Sequence, residues 1–178
     1  MGQLHFRLAH VDDAAAIALL ARRVVRRWIV AEQPPEGVRA LEETLSTPAI
    51  RERLRAGQRI HLAFVDGVLA GLAAVRDDSH VSQFLVGTRY QGQGIGRRLW
   101  SRVRRDCMRR AGTQVFTLNA SRGAMPFYQR LGFVRDDDPQ RKPGKVVATP
   151  MIYWVDGCPW SRVSHDSRHP CATARRGA

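Results

Sequence analysis

The feature that most constrains the fold of this 178-residue chain is a change of hydrophobic period around a glycine-rich stretch. Residues 80–86, with the sequence HVSQFLV, read as a β-strand that runs into this stretch. Gly92, Gly94 and Gly96 follow, and from Ile95 the apolar residues recur at helical spacing. A strand, a glycine turn and an amphipathic helix in succession predict an α/β chain folded around one sheet.

The part of the chain before residue 58 predicts a short strand followed by helices. Residues 5–10 alternate as a strand does, and residues 14–30 carry an apolar stripe at helical spacing behind two aspartates that suit an N-cap. A weaker helical stretch is expected from Val38. Another begins at Thr47, where proline occupies the next position, and ends before Gly57.

The remaining elements predict a mixed sheet. Two strands flank the Asp66–Gly67 pair, a dipeptide typical of tight hairpin turns. Further on we expect a strand, a short helix and a last strand at residues 115–119, 124–131 and 146–155. The sheet should be antiparallel within the hairpins and parallel across the helical connections.

Two familiar anion-binding loops fit the glycine-rich stretch poorly. A P-loop requires lysine followed by serine or threonine after its last glycine, whereas Arg97 and Arg98 follow Gly96. A dinucleotide-binding loop opens the first strand–helix unit and is followed by an acidic residue about 20 positions on. Here the loop comes after several strands, and the strand beyond the helix ends in Asn119.

A third pattern, Gln/Arg-x-x-Gly-x-Gly/Ala, is satisfied by Gln91, Gly94 and Gly96. Glycine lets a ligand approach the main chain, and the unpaired N–H groups and dipole of a helix start favour a pyrophosphate. Arg97 and Arg98 could add charge-assisted hydrogen bonds to phosphate oxygens. The alternative is a glycine turn that only joins strand to helix.

At these residues the chain resembles the GNAT superfamily of N-acetyltransferases. The resemblance rests on FLVGTRYQGQGIGRRLW, on TLNASRGAMPFYQRLGFV and on TPMIYW, and it spans residues 4–155. It implies a mixed, largely antiparallel central sheet flanked by helices, splayed between the strands before and after the glycine-loop helix. It also implies transfer of acetyl from acetyl-CoA, the co-substrate, to a primary amine of a small molecule or protein, by direct attack in a ternary complex.

The resemblance also implies which residues would contact each part of the coenzyme. Leu85 and Val86 would hold the pantetheine, and the Val86 N–H would polarise the thioester carbonyl. The glycine loop would cradle the pyrophosphate, Asn119 would contact the pantetheine arm, and Tyr128 would lie near the sulfur. The full coenzyme-binding set is Leu85, Val86, Gln91, Gly92, Gln93, Gly94, Ile95, Gly96, Arg97, Arg98, Asn119 and Phe127.

Tyr128 suits the role of general acid, because a phenol with a pKa of about 10 can protonate or hydrogen-bond a departing thiolate. In the short helix, Phe127 and Leu131 are four residues apart and are expected to face the core together. Tyr128 would then turn toward the coenzyme groove.

The sequence departs from many relatives at the general base, since HVSQFLV contains no Asp or Glu. His80 is a candidate base, directly or through water; the alternative is a histidine at a strand edge. On the acceptor side, Trp28 is a candidate pocket wall or core residue. Glu32 lies in AEQPPEGV, between the first two helices, where it could attract a cationic amine or simply belong to a polar loop.

The net charge of +13 invites anionic partners, so a nucleic-acid-binding protein is an alternative function. No helix-turn-helix, zinc-finger or RNA-binding aromatic signature accompanies that charge, and a surface solvated by arginine also explains it. The missing carboxylate suggests a third reading, a non-catalytic acyl-CoA sensor of the same fold.

The rest of the sequence predicts a cytoplasmic monomer or homodimer without metal. Its 3 cysteines have no C-x-x-C spacing, which argues against a zinc site or disulfide framework. No signal peptide or apolar run of membrane-spanning length is visible. Residues 156–178 lose all periodicity and are rich in basic and polar residues, so we expect a disordered tail.

Overall fold

The computed structural model describes residues 2–138 and 144–157. These residues form a seven-stranded sheet with strand order β1-β2-β3-β4-β5-β7-β6. The strands are β1 (Leu4–Leu8), β2 (Arg59–Val65), β3 (Val68–Arg76), β4 (His80–Val86), β5 (Val115–Ala120), β6 (Val134–Arg135) and β7 (Thr149–Trp154). The helices are α1 (Ala14–Trp28), α2 (Pro35–Thr44), α3 (Thr47–Arg55), α4 (Ile95–Ala111) and α5 (Met125–Arg130).

Local signals account for most element ends. Asp66 and Gly67 take φ values of 49° and 77°, the left-handed pair that a two-residue hairpin turn needs, and they join β2 to β3 as predicted. The Ser46 hydroxyl accepts the Ala49 N–H at 3.3 Å and so caps α3. α4 ends at Gly112, whose φ of 65° closes the last helical turn.

Several elements differ from the expectation: α1 ends at Trp28 rather than residue 30, and β7 begins at Thr149 rather than residue 146. α2 begins at Pro35 rather than Val38, because proline is well suited to the first helical position. β6 spans only two residues, too few for any periodicity, and the sequence did not predict it. From residue 158 onward, the predicted tail lies outside the described residues.

The sheet separates two hydrophobic clusters. On one face α4 packs through Leu99 and Trp100, and α5 packs through Tyr128. On the other face α1 and α3 pack through Ile17 and Ile50. The sheet is therefore covered on both sides, as the mixed pattern of strands and helices predicts.

The pairing of β4 changes along its length. Against β3 it is antiparallel throughout, from Arg76↔His80 to Gly71↔Val86, with a bulge at Ser82. Against β5 it is parallel, and pairing is restricted to His80↔Thr117 and Val81↔Leu118. Beyond Val81 the two strands diverge, which confirms the predicted splay. No helix in the described part of the chain is long and apolar enough to cross a membrane.

Candidate active site

A cleft of about 1670 Å³ opens where β4 and β5 diverge. Its walls come from α1, α2, β4, the glycine loop, β5, α5 and the segment that precedes β7. The residues that the sequence assigned to the site and that line this cleft are Trp28, Leu85, Val86, Gln91, Gly92, Gly94, Ile95, Gly96, Arg97, Asn119, Phe127 and Tyr128. The assigned residues outside the lining are Glu32, His80, Gln93 and Arg98.

The main chain of β4 offers hydrogen-bonding groups to the cleft. The Gly87 N–H donates to the Ala70 carbonyl of the neighbouring β3 segment at 2.8 Å. Because successive residues of a strand point their N–H and C=O groups to opposite sides, those of Val86 and Phe84 point away from β3. They face the gap that β5 leaves. Leu85 instead directs its main chain toward β3.

The glycine loop presents a second set of donors at the start of α4. Gly92 and Gly94 have φ values of 75° and 76°, which side chains rarely tolerate. The Arg98 N–H donates to the Gly94 carbonyl at 3.1 Å. The N–H groups of the three residues between them, at positions 95–97, therefore precede the helix ladder and, with the helix dipole, favour an anion.

Three polar side chains assigned to the coenzyme have partners within the fold. The Gln91 amide donates to the Val86 carbonyl at 3.0 Å and so ties the loop to the end of β4. The Gln93 amide donates to the Arg89 carbonyl at 2.8 Å. The Arg98 guanidinium lies 5.6 Å from the centroid of Phe6, away from the cleft.

Tyr128 is the buried residue of α5, at 7% exposure, while Phe127 is half-buried. Phe127 and Leu131 pack against the core and Tyr128 lines the cleft, as expected, but Tyr128 is also the most deeply buried of the three. The Tyr128 ring packs edge-on against Phe84 and Phe133, with centroids 6.1 and 5.8 Å away. This burial raises the pKa of the phenol, so the hydroxyl stays protonated at ordinary pH.

His80 lies at the closed end of the splay, where β4 and β5 still pair. Its Nδ1 is 2.8 Å from the Thr117 hydroxyl, its partner in register on β5. Phe84, Leu85 and Val86 follow at the open end. The structure therefore does not bring His80 into the cleft with Tyr128.

The part of the cleft lined by α1 and α2, which the resemblance would assign to the acceptor and which we call the acceptor half, contains Trp28. Its indole N–H donates to the Thr88 hydroxyl at 3.1 Å, which links the end of α1 to the segment after β4. Glu32 lies outside the lining, where its carboxylate accepts the Arg122 N–H at 3.2 Å. The Gln33 side chain both donates to and accepts from the Val147 main chain, at 2.9 and 2.7 Å.

Sequence analysis missed several residues of the cleft. Phe84 contributes main-chain groups and a ring, and Gln83 lies beside it on the same strand. Residues 136–138, three consecutive aspartates, form part of the rim. Their charge was visible in the sequence, but only the fold brings that segment to the cleft. Within residues 2–138 and 144–157, no three His, Cys, Asp or Glu side chains are grouped as a metal site requires.

Comparison with known proteins agrees with this geometry. The sequence matches the acetyltransferase (GNAT) domain family over residues 29–154. No curated protein matches it.

Solved structures share the fold. A GCN5-related N-acetyltransferase from Rhodopseudomonas palustris has a TM-score of 0.70 at 21% identity, over 87% of this chain and 98% of that one. The PaiA N-acetyltransferase of Thermoplasma acidophilum, in complex with coenzyme A, has a TM-score of 0.70 at 16% identity, over 85% and 99%. A putative acetyltransferase, YncA of Salmonella typhimurium, contains acetyl-CoA and has a TM-score of 0.61 at 24% identity, over 92% and 98%.

The chain belongs to the GNAT acetyltransferase family. It is an acetyltransferase, and its co-substrate is acetyl-CoA.

Proposed function

We propose that this GNAT acetyltransferase transfers the acetyl group to a primary amine by direct attack, with both substrates bound in the one cleft. The observation that carries the proposal is the convergence of three features on the splay. These are the outward main chain of β4 at Val86, the phenol of Tyr128 and the free N–H groups at the start of α4.

The lining of the cleft supports a coenzyme placed along it. The gap between β4 and β5 leaves room for an extended pantetheine arm, whose amides would pair with the main chain of Phe84 and Val86. The pyrophosphate would lie against the N–H groups at positions 95–97, with Arg97 beside it. Gln91 contributes indirectly, because its bond to the Val86 carbonyl holds the loop against the strand.

Acetyl-CoA supplies an electrophilic carbonyl carbon and a thiolate leaving group. The Val86 N–H would donate to the carbonyl oxygen, where negative charge develops as the amine attacks. Tyr128 would hold a proton for the departing sulfur, and its raised pKa keeps that proton in place until the thiolate forms. The amine nitrogen bonds to the acetyl carbon and the carbon–sulfur bond breaks. The thiolate takes the Tyr128 proton, and the proton that the nitrogen loses passes through water to the Tyr128 oxygen, which restores the phenol.

Thiol release with a panel of primary amines tests this function directly. We expect release that depends on both acetyl-CoA and an amine, together with a product heavier by one acetyl group in mass spectrometry. Coenzyme binding in calorimetry without release for any amine would instead support the acyl-CoA sensor. Retention of duplex or single-stranded nucleic acid that weakens steeply with salt, without coenzyme binding, would support the nucleic-acid alternative.

A further inference from the structure

The acceptor half of the cleft is apolar. α1 contributes Val24, Val25 and Trp28, with Ile29 directly after it. α2 contributes Ala40, Leu41 and Thr44, with Leu45 directly after it. The carboxylates of α2, at positions 36, 42 and 43, are exposed and lie outside the lining. An aliphatic or aromatic skeleton would gain about 25 cal/mol for each Å² that it buries here, whereas a second ammonium group would find no counter-charge from α1 or α2.

Gln83 differs from the other polar residues of this part of the lining, Thr44 and Ser82, whose hydroxyls donate to main-chain carbonyls. It lines the cleft, and both its Nε2 and its Oε1 are withdrawn from solvent without a hydrogen-bond partner among the described residues. Each such group lowers the stability of the fold, so native proteins rarely leave an amide in this state without a reason.

The direction of Gln83 places it on the acceptor side. Leu85 belongs to the cluster formed with α1 and α3, and residues two apart in a strand share a face. The amide therefore lies on the side of the sheet covered by α1, facing the acceptor half. Because the amide atoms are withdrawn from solvent in the free protein, an acceptor would have to displace neighbouring side chains of the cleft to reach them.

We propose that Gln83 determines acceptor specificity, and that the acceptor is a small primary amine with an apolar body and a neighbouring amide group. This proposal rests on the function proposed above. An amide offers one acceptor and two donor positions, so its natural complement is a second amide, as in an aminoacyl amide or a peptide N-terminus. The ligand completes two hydrogen bonds that the free protein lacks, and the apolar wall holds its side chain.

A polycation is the competing acceptor, because the aspartates at 136–138 border the rim and would attract one. The two classes separate in a comparison of phenylalaninamide, 2-phenylethylamine and spermidine as acceptors for thiol release. The first two share an aromatic body and differ by the amide. Spermidine has neither the aromatic body nor the amide and carries additional positive charges instead.

The decisive variant is Gln83→Leu, with Gln58→Leu as the matched control. The Gln58 Oε1 is also buried without a partner, but its Nε2 donates to Ser82 at 3.1 Å and the residue does not line the cleft. We expect Gln83→Leu to lower kcat/KM for phenylalaninamide by about tenfold or more and that for 2-phenylethylamine by less than about threefold. Gln58→Leu should leave unchanged the ratio of kcat/KM for phenylalaninamide to kcat/KM for 2-phenylethylamine.

A thermal melt gives a readout that does not depend on activity. Since Gln83→Leu removes two unsatisfied groups, the Tm of the free protein should stay equal or rise. A lower Tm would mean that the amide has a partner within the fold, and would overturn the proposal. So would equal losses for both aromatic amines, or a wild-type preference for spermidine. Coenzyme binding with no thiol release for any amine would refute the proposed function itself and take the acceptor assignment with it.

Discussion

Phe127 packs so closely on Gly96 that a Cβ atom built on the glycine would lie 2.8 Å from the Cζ of the ring. α5 and the first turn of α4 therefore meet beside the glycine loop, where we place the coenzyme. The glycine permits that contact, and a side chain would push Phe127 toward the path of the pantetheine.

Gly96→Ala should weaken acetyl-CoA binding by about tenfold, because either the ring or the helix start must move. Calorimetry with acetyl-CoA measures the effect. Gly123→Ala is the matched control, since it also lines the cleft but its Cβ would meet no atom within 4 Å. Equal affinities for the two variants would contradict the role of this contact.

Gly94→Asp should abolish coenzyme binding. The φ of 76° strains any side chain, and a carboxylate there would repel the pyrophosphate. Gly94→Asn keeps a side chain of similar size without the charge and tolerates positive φ better. It should therefore retain measurable affinity. If the Asp and Asn variants bind equally well, the phosphate is not held at this helix start.

Tyr128→Phe should preserve the ring packing and the affinity for acetyl-CoA but lower kcat by at least about tenfold, as the loss of a general acid does. Thiol release, normalised to folded protein, measures the rate, and a melt confirms the packing. The hydroxyl stays protonated because burial raises its pKa, so the wild-type rate should show no loss from phenol ionisation below about pH 10. A variant within twofold of wild type would remove Tyr128 from the mechanism.

His80→Gln should leave kcat within about threefold of wild type and lower the Tm slightly, because the ring contacts Thr117 at the paired end of β4. The pH–rate profile is the sharper readout. If His80 accepts the amine proton through water, the variant will lose the acidic limb of the profile and at least tenfold in kcat. That result would restore His80 as the base.

Asp106 links α4, the helix that follows the glycine loop, to β2. Its carboxylate accepts two hydrogen bonds from Arg59, at 2.8 and 3.0 Å, and lies 3.2 Å from the His61 Nε2. Asp106→Asn should lower the free energy of unfolding by about 2–3 kcal/mol at pH 7, since it leaves the partners of a buried charge uncompensated. Denaturant unfolding measures it. The control Asp78→Asn removes a more exposed pair with Arg110 and should cost less than about 1 kcal/mol.

The same cluster predicts an acid-sensitive fold. Burial alone would raise the pKa of Asp106, but the hydrogen bonds and charge of Arg59 hold it below the usual value; burial lowers the pKa of His61. Both shifts mean that the unfolded chain binds protons more readily than the folded chain. Stability should therefore fall as the pH drops below about 6.5, and further below about 4. The difference in unfolding free energy between wild type and Asp106→Asn should shrink as the pH falls below about 4. A difference that does not change with pH would contradict the assignment to Asp106.

The sequence by itself determined the elements of the fold and the glycine loop at which we place the phosphates. Strand and helix periods are local, and so is the requirement for glycine at Gly94, where the main chain must take a positive φ before a helix begins. Residues adjacent in the sequence are enough to determine both the period and the need for glycine. For this reason β4, the loop and α4 were predicted close to their observed bounds.

Only the tertiary structure decided which side chains share the cleft. The gap between β4 and β5 depends on where two distant strands stop pairing, which no local pattern encodes. It leaves His80 at the closed end and brings Gln83 to the acceptor half, though the two residues belong to the same strand. The bulge at Ser82 shifts the alternation between them. The glycine loop depends on local main-chain geometry and could be predicted from the sequence, whereas the acceptor half depends on packing between segments far apart in the chain.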